Sequence, residues 1–144
     1  MAQLNSLRLP LALFLVLAVL RVLGTPLDVE GAVVLTRSEI PLRDLMLFPY
    51  SPAYLFLLHL WSGVSHAVPW LRLLSLTMAL GALLLVPRVL RGLGGTHASG
   101  GAIWILALSP FFVTQMVAVS PSALAFLVVV VELLCFLEYL RASE

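Results

Sequence analysis

Two carboxylates, Asp28 and Glu30, stand just past the first apolar run of the chain, in the stretch LDVEGAVVL at 27–35. Carboxylates at such a point have two different uses. They can take or orient a proton on a bound substrate, or they can simply solvate a loop on the outer side of a membrane. Arg72 opens a later apolar run, where a guanidinium often serves as a snorkelling anchor. Glu132 lies near the middle of the last apolar run. A carboxylate there is costly to leave unpaired, so it is expected to hydrogen-bond to Ser109 or Thr77, the nearest polar groups by count, or to meet another subunit. His59 and His66 are two helical turns apart with no ligand between them, so no metal site is expected.

The elements that must position these groups are set by composition. Of 144 residues, 62% are hydrophobic and only 10% charged, and the mean hydropathy is +1.12; soluble domains carry about a quarter charged residues. An integral membrane protein follows. Its spans must be helical, because lipid offers no hydrogen-bond partners and nothing alternates with the period of two that a barrel strand requires. The fold class expected is therefore all-α and polytopic, a single membrane domain over 1–144 with about four transmembrane helices, at 9–23, 70–90, 100–119 and 122–140. The first run is read as an uncleaved anchor rather than a signal peptide, since Arg21 would sit just inside the cleavage site.

The stretch 52–67 is expected as a juxtamembrane helix on the outer face. Ser51 supplies its N-cap and Pro52 its first turn. His59, Ser62 and His66 make one polar stripe, and Tyr54 and Trp61 suit headgroup depth. With that helix not crossing, Arg8, Arg88, Arg91 and Arg141 fall on one side, which the positive-inside rule makes cytoplasmic together with both termini. A large outer loop, 25–69, then holds Asp28, Glu30, Glu39 and Asp44. The small-residue pairs Ser75 with Ala79 and Ala98 with Ala102 are candidates for packing on another protein. All eight basic residues are Arg and the formal charge is +1, which leaves no basic run for nucleic acid. Cys135, the one cysteine, is expected to be a small packing residue.

The order of features has a counterpart. An anchor, the acids at its outer end, FPYSPAYLFLLHLW, LRLLSLTMALGALLLVPRVLRGLGG, ALSPFF and a last apolar span together resemble the N-terminal part of GT-C class membrane glycosyltransferases, the relatives of protein mannosyltransferases and the lipid A aminoarabinose transferase. The resemblance covers nearly the whole chain, though only the opening portion of the family. It implies a bacterial inner (plasma) membrane location and a sugar carried on polyprenyl phosphate as donor. It makes Asp28 the candidate base, with Glu30 its rival because the family's adjacent Asp-Glu is here Asp-Val-Glu. Arg72 matches the family arginine that would face a lipid phosphate; the cofactor is left open. The second outer loop, FFVTQMVAVSPSAL at 111–124, carries no charge, with Ala118 and Ser120 where relatives place Glu and Arg. The expectation is an incomplete glycosyltransferase-like module, inactive alone. The alternative is a non-catalytic membrane subunit packed against partner chains.

Overall fold

Proline and serine set the helix boundaries along this chain. In the computed structural model, which describes residues 2–24, 32, 33, 36, 51–93 and 98–143, the described residues form six principal helices and no strand. They are α1 (Ala2–Gly24), α2 (Pro52–Ser62), α3 (Val68–Gly92), α4 (Ala98–Leu108), α5 (Pro110–Val117) and α6 (Ser122–Ala142). Two of them, α3 with 25 residues and α6 with 21, are long and apolar enough to cross a membrane.

Pro52 opens α2 and a proline also lies in the first turn of α3, the positions where a missing N–H costs nothing. Ser51 precedes α2 as expected, but its side chain makes no cap bond. Its carbonyl instead accepts from the Tyr54 and Leu55 amides at 3.1 and 3.3 Å. The expected helix over 52–67 is shorter than that, ending at Ser62 before a turn into α3.

The expected single span over 100–119 is two helices, of 11 and 8 residues, broken at Ser109. Pro110 disfavours helical backbone at the residue before it. Ser109 accordingly turns extended (φ −70°, ψ 112°), and its Oγ accepts from the Phe112 amide at 3.3 Å to start α5.

α3 is the hub: it packs on α1, α2, α4 and α5, and most extensively on α6. Three clusters line it. Phe14, Ala18 and Val22 of α1 meet Leu76, Ala79 and Leu83 of α3, with Ala107 of α4 and Val113, Met116 and Val117 of α5. Tyr54, Leu55 and Leu58 of α2 meet Leu71, Leu74 and Val119. Ala82 and Val89 meet Val130 of α6.

The directions of the helices follow from these contacts. A Cβ on Gly81 would meet Leu127, and one on Gly92 would meet Leu137, so α3 and α6 run the same way. Arg72 in the first turns of α3 bonds to Arg21 and Val22 at the end of α1, while Phe14 packs lower, with Leu76, Ala79 and Leu83; α1 runs the opposite way. The chain leaves α3 at its C-terminal end and, through α4 and α5, brings Val119 back to Leu71 and Leu74 near its N-terminal end.

Candidate functional site

Of the residues the sequence singles out, Arg72 lies where α1 ends and α3 begins. It stands in the second turn of α3 and is 5% exposed. A helix leaves its last four carbonyls without intrahelical donors, and Arg72 Nη1 donates to two of them in α1, at Arg21 (3.4 Å) and Val22 (3.1 Å). Arg72 is thus no snorkelling anchor. It cross-links two helices through a charge-assisted bond at a helix C-terminus, where positive charge is favoured. Asp28 and Glu30, the expected base and its rival, lie outside the described residues, as do Glu39 and Asp44.

Around Arg72 the polar groups are matched in pairs. Tyr54, expected at headgroup depth, is instead 1% exposed, its hydroxyl 3.1 Å from Ser75 Oγ. Trp61 and Trp70 stack with ring centroids 4.8 Å apart and planes at 12°. Each donates its indole N–H to the other's backbone carbonyl, Trp61 to Trp70 at 2.8 Å and Trp70 to Trp61 at 3.1 Å. This reciprocal clamp fixes the turn between α2 and α3. Sequence reasoning found Trp61 but missed its partner, for which nine-residue spacing across a turn is a weak signal. Among the described residues no buried side-chain nitrogen or oxygen lacks a hydrogen-bond partner.

The histidine and serine stripe of α2 does not form one solvent face: Ser62 is buried, with its Oγ on the His59 carbonyl at 2.9 Å, whereas His66 is exposed. Among the described residues no group of three His, Cys, Asp or Glu could hold a metal. The small pair Ser75 and Ala79 is not available to another protein, since both are fully buried inside this chain.

The second loop packs beneath α2. Val119 is 1% exposed and joins the Tyr54, Leu55 and Leu58 cluster. Ser120 is fully buried, its Oγ 3.1 Å from Ser122 Oγ. Ser120 is therefore an interior position.

Glu132 departs from its expected hydrogen bond. It is exposed, and it makes no bond or ion pair with the described residues. Thr77 donates to the Leu74 carbonyl at 2.8 Å and Ser109 caps α5, so both nearby hydroxyls serve backbone. Cys135 is likewise exposed rather than packed.

No protein-family model, no curated protein and no solved structure matches the chain.

Proposed function

We propose that this chain is a membrane module of the GT-C glycosyltransferase type, built around a site for a sugar on polyprenyl phosphate but inactive by itself. The observation that carries the reading is the seat of Arg72. The guanidinium is fixed to the last turn of α1, and Asp28 follows Val22 by six residues, a reach of at most about 20 Å. A cation so held is suited to steadying a departing phosphate while Asp28, or Glu30, serves the acceptor hydroxyl as base. The inactivity follows from the second loop, which brings no charge and whose Val119 and Ser120 are interior residues. Donor, acceptor and base must be fixed together, and about 1 Å of misplacement can cost on the order of a hundredfold in rate.

Four crossings are part of the proposal. Two helices running the same way, α3 and α6, can both cross only if the chain returns between them. α4 and α5 supply 11 and 8 residues for that return, roughly 30 Å with their joint. α1 runs opposite to α3. Both termini and Arg8, Arg88, Arg91 and Arg141 then face the cytoplasm of a bacterial inner membrane, with α2 at the outer surface.

The test uses the purified chain with polyprenyl-phosphate sugars. Binding of polyprenyl phosphate that weakens in Arg72→Gln, without sugar transfer, is the expected result. Transfer that disappears in Asp28→Asn would overturn the inactivity, and no binding at all would remove the glycosyltransferase reading.

A second reading, a non-catalytic subunit packed on other membrane chains, is favoured by α6. Only 11% of its apolar window is buried, against 50% for α3, and Glu132 lies on its exposed surface. Loss of a co-purifying membrane protein in Glu132→Leu is the result that would prefer it.

A further inference from the structure

At the C-terminal ends of α3 and α6 the two helices part around a cavity of about 230 Å3. Arg88 and Arg91 line it from α3, three residues apart. Leu134, Leu137, Glu138 and Arg141 line it from α6, at the three-, four- and seven-residue spacings that share one helix face. We propose that this cavity binds a phosphate group, as borne by an anionic phospholipid headgroup or by a free phosphate. The inference rests on the membrane placement given above only for the lipid source, and not on the glycosyltransferase reading.

The charge balance favours an anion. Among the described residues three guanidiniums line the cavity with one carboxylate, and the C-terminal ends of two helices add roughly half a negative charge each, so about one positive charge remains there. Glu138 offsets one charge but occupies no guanidinium: among the described residues it makes no ion pair, and the guanidiniums of Arg88 and Arg141 make no hydrogen bond. Arg91 spends Nε on the Pro87 carbonyl at 3.1 Å. That bond orients its planar head while leaving the terminal nitrogens to the cavity, the geometry that suits two-pronged recognition of phosphate oxygens.

Room is sufficient as well, since the volume is several times the roughly 30 Å3 share of one liquid water. Gly92 lets the helices close behind the charged groups: a Cβ there would lie 2.7 Å from Leu137 Cδ1 and 3.6 Å from Arg141 Nη2. Depth agrees with a headgroup. Arg88 is sixteen residues beyond Arg72 on α3, about 24 Å along the axis, so the two arginines stand at opposite ends of the apolar stretch.

The experiment measures thermal unfolding of the full chain in neutral detergent with added phosphatidylglycerol, phosphatidylcholine or sodium phosphate, for wild type, Arg141→Gln, Arg91→Gln and Glu138→Gln. Arg141 and Glu138 are exposed, so these variants keep the fold, and unchanged far-UV circular dichroism checks it. Stabilisation by phosphatidylglycerol over phosphatidylcholine, weakened about tenfold in apparent affinity by each arginine change and strengthened by Glu138→Gln, is the expected result and names the lipid. The same pattern with sodium phosphate alone names the free anion. Equal responses to phosphatidylglycerol and phosphatidylcholine with no response to phosphate, or responses identical in all four proteins, overturn the proposal. Whether the chain inserts in membranes is read separately, from its resistance to alkaline extraction of vesicles.

Discussion

The two ends of α3 handle arginine in opposite ways. At the N-terminal end Arg72 is buried and bonded to the carbonyls that α1 leaves open. Tyr54 is paired with Ser75 there, and Trp61 with Trp70. At the C-terminal end Arg88, Arg91 and Arg141 are exposed around a cavity, and Glu138 beside them makes no ion pair among the described residues. The same residue type is thus anchored to a neighbouring helix at one end and presented outward at the other. What decides between them is whether a second helix terminus supplies carbonyls at the right height. α1 ends beside Arg72, while α6 runs on beside Arg88 and ends about two turns further along, just past Arg141.

Substitutions at matched positions can break this contrast. Arg72→Gln removes charge-assisted bonds to the Arg21 and Val22 carbonyls and should destabilise by about 3 kcal/mol, read as a loss of unfolding free energy in detergent. Arg88→Gln, made in neutral detergent without phosphate, should stay within about 0.5 kcal/mol, as exposed substitutions usually do. Equal costs at the two positions would end the comparison. Next in size, Trp70→Phe keeps an aromatic stack but loses its donor to the Trp61 carbonyl, and about 1.5 kcal/mol is expected, read in the same way. Tyr54→Phe removes the hydroxyl facing Ser75 and should cost about 1 kcal/mol, because Ser75 is fully buried and forfeits that partner.

Glycine sharpens the contrast with the smallest effects. A Cβ on Gly81 would meet Leu127 Cδ1 at 3.8 Å, an ordinary contact, so Gly81→Ala should be neutral or stabilise by up to about 1 kcal/mol through helix propensity. At Gly92 the same change drives a methyl towards Leu137 Cδ1 at 2.7 Å. The far end of that leucine can turn aside, so about 0.5 kcal/mol is the expected cost, and phosphate binding at the neighbouring cavity should weaken with it.

Topology offers a separate check. In a Cys135→Ser background, Val64→Cys should react with an impermeant thiol reagent applied outside sealed cells and Leu93→Cys should not. Labelling of Leu93→Cys would exclude four crossings with cytoplasmic termini.

Much of this was legible in the sequence wherever a residue acts locally. Pro52 marks a helix start because it acts through its own missing amide. The apolar runs of α3 and α6 are read directly from composition. The grouping of Arg88, Arg91 and Arg141 at one level was legible too, from their positions at the ends of apolar runs. Ser109 was seen but misjudged. The run through it is continuous in hydropathy, and only the backbone restriction imposed by Pro110 divides it.

Other features became definite only through packing. Tyr54 looked like a headgroup residue and Ser75 with Ala79 like an outward face, yet α2 folding over α3 buries Tyr54 and Ser75, and α1 with α5 covers Ala79. Nor does apolarity separate α3 from α6. Both suit a membrane, but half of one window is buried and about a ninth of the other. Lipid is as apolar as leucine, so a run that faces lipid and a run that faces protein can be spelled alike. By itself the sequence determined that the chain is built from apolar helices with arginines at their ends. Which helix sits in the centre, which arginine is sealed, and where Glu132 points were decided by tertiary structure, because those depend on neighbours supplied from more than forty residues away.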